Sequence, residues 1–320
     1  METIKLIADK NNLRLDHYLV ERFPEFSRSK IKNYINSGNI TIDDKVVKPS
    51  FILKGEENIK CLILSQSDDN NTISPENIEL NIIYEDNDIL VINKPRGLVV
   101  HPGNGNKSGT LLNGLIYHYK NLSRNNSLRP GIIHRLDKNT SGVMLIAKKD
   151  FSHDHISKQF LNRTINKHYS ALVWGRIPNE GVINNKIGRN RKDRTTFKVV
   201  NYGGRKSITH YKMGEYMAPF SLIEVKPETG RTHQIRVHLE SVGYPILGDE
   251  NYGGGIRRSL SYHVKYKKNI NKVFNQIKGF ALHAHKLEIT HPITNKKVKF
   301  RAPVPQDIKN IINILRNEQF

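Results

Sequence analysis

The chain has 320 residues, 51 Lys and Arg against 30 Asp and Glu, a formal charge of +21 and one cysteine, Cys61. That length allows about two domains with sizeable cores, and the cationic surplus points to a polyanionic partner, nucleic acid before membrane. A lone cysteine excludes an intrachain disulfide and a cysteine zinc cluster.

No run approaches the roughly 18 apolar residues of a membrane span. The first residues hold no apolar signal core, so the cytoplasm is the expected compartment. The charge is uneven, +2 over residues 1–64, −7 over 65–92 and +26 over 93–320. The polyanion-binding surface is therefore expected mainly on the second part.

Leu15, Tyr18, Leu19 and Arg22 follow helical spacing. Ser27 is the expected N-cap of a second helix, Arg28 to Ser37, which Gly38 ends. Ile31 and Ile35 face inward there, and Arg28, Lys30 and Lys32 outward. Residues 39–42 and 45–47 predict a hairpin around Asp43-Asp44. Residues 65–77 are polar, acidic and unpatterned, which predicts a flexible linker between domains at 1–64 and 78–320.

Strands are predicted over 80–84 and 89–92, followed by the basic turn Lys94-Pro95-Arg96-Gly97. Lys94 and Arg96 are expected to offer phosphate contacts. Thr110 opens a helix through Tyr119. The stretch Gly131 to Lys149 follows, with Ile132-Ile133 and Val143 to Ala147 as apolar flanks around a polar loop. That loop holds His134, Arg135, Asp137, Lys138, Asn139, Thr140 and Ser141. A polar loop presented by buried strands is where a rigid scaffold usually carries chemistry. A plain turn, with the Asp capping it and pairing with the Arg, is the other reading.

Asp150 or Ser152 is placed to cap a helix over 153–162. His153 and His155, two positions apart, point to different faces and are expected at the surface. Tyr169 begins a strand, and residues 186–206 carry eight Lys and Arg, either an RNA-facing ribbon or a solvated one. After a strand over 220–226, Thr229 or Thr232 is expected to cap a helix that Gly243 ends. The start of that helix would suit an anion. Residues 255–279 are basic and poorly patterned and predict an insertion loop that touches RNA or is disordered. Ile308, Ile311, Ile312 and Leu315 predict a last helix.

His134-Arg135-Leu136-Asp137 followed by Thr140-Ser141-Gly142 resembles the signature of the RluA-type pseudouridine synthases. The segments Asn93 to Gly103, Glu228 to Leu239, Gly243 to Asp249 and Tyr252 to Gly254 resemble the same family. About 45 residues near the start, with Arg14, Asp16, Ser27, Arg28 and Gly38, resemble the S4 RNA-binding domain, although a basic helix face alone also fits simple solvation.

The resemblance implies an α+β fold, an S4-like domain followed by a mixed, mainly antiparallel sheet around a central cleft. It implies isomerisation of uridine to pseudouridine, with Asp137 as the catalytic carboxylate, Arg236 pairing with it and Tyr169 stacking on the base. Arg135 is a candidate to fill the space that a displaced base leaves. Arg14, Arg28, Lys30, Lys32, Lys94, Arg96 and Arg231 are the expected RNA contacts. No metal and no small-molecule cofactor is implied, and Gly-x-Gly-x-x-Gly, Walker and His-Glu-x-x-His patterns are absent.

Phe-Pro-Glu-Phe-Ser-Arg-Ser, Val-Val-His-Pro-Gly and Ala-Pro-Val-Pro-Gln-Asp are most similar to members acting on large-subunit ribosomal RNA. They imply 23S rRNA or a pre-ribosomal particle as partner, the helix 69 hairpin as target and a monomeric enzyme. Three other readings stay open: other rRNA sites, a non-catalytic S4-containing assembly factor, and an N-glycosidase with Glu228 or Asp249 as a second acid.

Overall fold

The computed structural model describes residues 2–23, 26, 28–63, 73–103, 105–125 and 129–317. The chain divides into two compact units, Met1–Thr72 and Ile73–Phe320.

The first unit sets helices α1 (Leu15–Arg22) and α2 (Arg28–Asn36) on a four-stranded sheet. Its strands are β1 (Glu2–Ile7), β2 (Ile40–Ile42), β3 (Lys45–Val46) and β4 (Asn58–Ile63), in the order β1-β4-β2-β3. Leu15, Leu19, Ile31 and Ile35 bury against Ile40, Ile59 and Cys61. Asp43 and Asp44 take left-handed φ of 47° and 60°, the two-residue geometry that matches the twist of a hairpin. The predicted helices and hairpin are present. Strand β1, absent from the sequence expectation, pairs along its whole length with β4, more than fifty residues away. Ser27, the expected cap of α2, lies outside the described residues.

The second unit is one ten-stranded sheet with helices around it. Its strands are β5 (Ile82–Glu85), β6 (Ile89–Lys94), β7 (Ser141–Ala147), β8 (Asn166–Trp174), β9 (Glu180–Arg189), β10 (Phe197–Val199), β11 (Arg205–Met217), β12 (Phe220–Pro227), β13 (Leu282–Thr290) and β14 (Lys297–Arg301). The order is β10-β9-β11-β12-β8-β13-β7-β6-β5, with β14 beside β13. The named pairings are antiparallel except β7 with β13. That parallel seam depends on Gly142. Its φ is +119°, and a Cβ there would stand 2.2 Å from the Ala284 carbonyl oxygen, so only glycine lets the two strands meet. The seam draws the loop before β7 towards β8, which creates the cleft.

Helix α3 (Leu111–His118) starts at Thr110 with a capping box to Asn113. Helix α4 (Asp150–Leu161) starts earlier than expected, with Lys149 at its N-cap, because Asp150 receives the Ser123 hydroxyl and the Arg124 amide. His153 is not at the surface. It is buried, with Nδ1 3.1 Å from Ser123 Oγ. Residues 73–77 belong to the second unit: Ile73 joins the core around α3, and Glu76 accepts the Gly109 amide.

The expected loop at 255–279 is folded. It forms 3-10 turns at Ile256–Ser261 and Val264–Tyr266 and then α6 (Lys267–Gln276). Ile270 and Val273 of α6 bury with Ile311 and Leu315 of α7 (Gln306–Asn317). Among the described residues, no helix is long and apolar enough to cross a membrane.

Candidate active site

A cleft of about 600 Å³ opens between the loop before β7, the end of α4, strand β8 and the turn from β12 into α5 (Gln234–Ser241). Asp137, Tyr169 and Arg236 all line it. The loop holding Asp137 is fixed from behind: the Asp137 carbonyl accepts the Thr140 amide, and the Lys138 carbonyl accepts the Gly97 amide. Arg236 is 5% exposed on the first turns of α5. Its Nε and Nη2 donate to the two oxygens of buried Asp249 at 2.7 and 2.9 Å. Its remaining nitrogen, Nη1, donates to Asp137 Oδ2 at 3.3 Å. Tyr252 and Phe280 present their rings to the guanidinium, with centroids 4.6 and 4.5 Å from Cζ. A cation with one carboxylate at its back and aromatic rings against it has little freedom to turn away from Asp137.

His233 stands at the N-cap of α5 with a left-handed φ of 56°. Its Nδ1 lies 2.8 Å from the Tyr252 hydroxyl, and its Nε2 lies 4.0 Å from Asp137 Oδ2. Burial pushes its pKa down, although the Asp137 charge pulls the other way. Neither Thr229 nor Thr232 caps this helix. The Thr229 hydroxyl instead donates to Gln234 Oε1, which also receives the Arg231 amide, and this bracing holds the turn.

Tyr169 projects from β8, and burial raises its phenol well above the usual value, helped by the Asp137 charge. At neutral pH the ring is therefore a phenol. His134 accepts the Leu145 amide at Nε2 and lies against Phe160, and burial pushes its pKa down to about 3, so it is a neutral spacer. Arg135 is exposed at the mouth and reaches the His101 ring at 3.4 Å. Among the described residues, no cluster of three His, Cys, Asp or Glu is arranged to hold a metal ion.

In the first unit, Asp16 is fully buried and collects Arg14 at 3.0 Å, Arg28 at 2.9 Å and Lys32 at 3.5 Å. Burial alone would raise its pKa, but the hydrogen bonds from Arg14 and Arg28 outweigh it and hold the carboxyl at about 2. The permanent anion gathers three half-exposed cations, Arg14 at the start of α1 and Arg28 and Lys32 of α2. The side chain of Lys30 lies outside the described residues.

The model of the RNA pseudouridylate synthase family matches residues 88–241, and that of the S4 domain matches 13–59. The ribosomal large subunit pseudouridine synthase D of Neisseria meningitidis serogroup B is 40% identical over 305 residues, 95% of this chain and 79% of that protein. The chain belongs to the RluA-type RNA pseudouridine synthases. The Bacillus subtilis protein named uncharacterized RNA pseudouridine synthase YlyB is 36% identical, over 96% of each chain. The solved structure of human RNA pseudouridylate synthase domain containing 4 is 27% identical with a TM-score of 0.56, over 74% of this chain and 93% of that one.

As a pseudouridine synthase, the chain corrects two expectations drawn from its basic residues. Lys94 is completely buried, and its ammonium donates to the carbonyls of Pro95, Leu98 and Lys138 at 2.8, 2.9 and 3.1 Å. It braces the loop that holds Asp137 and cannot present itself to a phosphate. Arg96 is tied to Asp307 of α7, with its side chain 10% exposed. The second acids of an N-glycosidase are also engaged elsewhere. Asp249 is held by Arg236, and Glu228 meets His210 at 2.6 Å. His233, Tyr252, Phe280 and Lys167 were not singled out in the sequence, and only their place inside family-like segments marked the first two.

Proposed function

We propose that this RNA pseudouridine synthase acts on large-subunit (23S) ribosomal RNA, with the helix 69 hairpin as its target and Asp137 as its catalytic carboxylate. The carrying observation is Asp137 Oδ2 at 3.3 Å from Arg236 Nη1 in a cationic cleft that also presents Tyr169. The rRNA target rests on relatives whose names specify the large ribosomal subunit.

The target uridine leaves its stack and enters the cleft, at a cost of a few kcal/mol. Arg135 at the mouth fills the vacated place. Asp137 attacks C1′, or removes the 2′ proton and returns it to C2′ when the new bond forms, and the N1–C1′ bond breaks. The uracil turns against Tyr169, C5 bonds to C1′, C5 loses its proton and N1 gains one. Atoms and electrons balance without a redox partner. Arg236 supplies the opposite charge that keeps Asp137 in place. Burial keeps the proton on Tyr169, so the ring stacks and donates, and the Asp137 carboxylate, free again once C5 is bonded to C1′, takes the C5 proton.

Pseudouridine mapping on undermodified rRNA, free and in large subunits, tests this. Marks in helix 69 that require the wild-type protein and vanish with Asp137→Asn are expected. Marks at other large-subunit positions would move the target and leave the chemistry. Equal marks from both proteins would reject Asp137.

A further inference from the structure

The cleft holds a second group of charges, away from Arg236. Lys167 projects from β8, Arg163 sits in the turn that ends α4, and Arg231 sits in the turn before α5. All three line the cleft wall. Among the described residues, none of them has a carboxylate within ion-pair distance. Lys167 Nζ donates to the Thr229 carbonyl at 3.2 Å, and Arg231 Nε is buried without an acceptor. The two acids of the cleft wall are taken: Asp137 faces Arg236, and Glu228 turns to His210. Burial and the charges of Arg163 and Arg231 push Lys167 down to about 8. Grouping cations in a partly desolvated wall is unfavourable by itself. An arriving anion reverses the sign of that interaction, and Gly230, whose Cβ position lies 3.8 Å from Lys167 Nζ, adds no side chain beside the ammonium.

We propose that Lys167, Arg163 and Arg231 form a phosphate subsite that grips the RNA backbone beside the uridine held over Asp137. The proposal rests on the cleft being the uridine site. Arg163 and Arg231 supply forked donors to phosphate oxygens, and Lys167 supplies a point charge between them. The subsite fixes the strand so that C1′ faces Asp137, and it makes no contact with the base.

Single-turnover pseudouridine formation on a short hairpin, measured against RNA concentration, salt and pH, tests the subsite. Lys167→Met and Arg163→Gln are each expected to raise the half-saturating RNA concentration about tenfold. They should leave the saturated rate within about twofold and lower the salt slope by about 0.7 per cation removed. Inorganic pyrophosphate, used as a probe, should compete with RNA for the wild-type protein and lose potency against Lys167→Met. The wild-type half-saturating concentration should climb above about pH 8, as Lys167 between Arg163, Arg231 and the Thr229 carbonyl gives up its proton. Lys167→Arg should restore affinity and flatten that climb.

Unchanged half-saturation and salt slope in both Lys167→Met and Arg163→Gln would overturn the subsite. So would a fall in the saturated rate alone. Arg163 is exposed, so its variant reads the subsite even if the Lys167 variant folds poorly. Weakened RNA binding in both variants, with no product from any protein including wild type, would keep the subsite and reject the uridine reading.

Discussion

Arg236 reaches Asp137 with a single nitrogen, Nη1 to Oδ2 at 3.3 Å, because Asp249 takes the other edge of its fork at 2.7 and 2.9 Å. The short, buried pair is the structural one, and the longer pair faces the cleft. Asp249 is thus a positioning residue for a cation that acts on another carboxylate. Asp249→Asn puts an amide N–H against the guanidinium and leaves a buried charge half-compensated. A loss of about 3 kcal/mol in unfolding free energy is expected, with single-turnover rate at saturating RNA down at least tenfold in the folded fraction. Urea unfolding and rapid-quench assays read both. Wild-type rates in a destabilised variant would mean that Arg236 needs no such support.

Tyr169 separates two roles within one side chain. In the proposed role its ring stacks on the base, which is worth about 1–3 kcal/mol per base, and its hydroxyl keeps its proton at neutral pH. Tyr169→Leu should weaken hairpin binding by that amount, and Tyr169→Phe should retain wild-type affinity. Any loss of turnover in the Phe variant then belongs to the hydroxyl. Equilibrium binding with the same hairpin distinguishes them, and equal affinity of Leu and wild type would remove Tyr169 from the base.

The parts legible from sequence were those with local patterns. α1, α2, the β2–β3 hairpin and α7 each show their spacing and stops within a dozen residues. Asp137, Tyr169 and Arg236 stood in motif-dense segments, and the fold brings them to one cleft. What failed depended on distant partners. β1 needs β4 across the first unit. α6 hides its few apolar residues among lysines until α7 covers Ile270 and Val273. The same limit misplaced Lys94, since charge is visible in a sequence and burial under a loop is not. Thr229 and Thr232 looked like caps because cap chemistry is local, but Gln234 captured the hydroxyl first.

Lys94 makes that correction measurable. Burial pushes its pKa down to about 7, while three carbonyls match the three protons of its ammonium. Lys94→Met leaves the Pro95 and Leu98 carbonyls without this donor. Unfolding free energy should fall by about 2–3 kcal/mol, and the salt slope of RNA binding should not change. Arg135→Ala, at the cleft mouth, should do the reverse and lower the slope with little effect on stability. A Lys94 variant of full stability and reduced slope would put the ammonium back on RNA.

Two buried histidines, His238 and His283, and the half-buried His134 of the cleft set the acid limit of the fold. Burial pushes His134 to about 3 and His238 and His283 to about 4, against about 6.5 in an unfolded chain. Between about pH 6.5 and 4 the unfolded chain therefore takes up protons that the folded chain refuses. Stability is full above that window and is lost as pH falls through it. Near pH 5 three such groups give a slope approaching about 4 kcal/mol per pH unit, enough to unfold a domain of ordinary stability before pH 4. Asp16 and Asp86, held at about 2, add their loss only below the ordinary carboxylate range. Urea unfolding at pH 7, 6 and 5 reads the slope directly. His134→Gln, which keeps an acceptor for the Leu145 amide, should reduce it by about one proton. A profile flat from pH 7 to 5 would mean that the folded protein protonates these rings and that their burial does not exclude the charge.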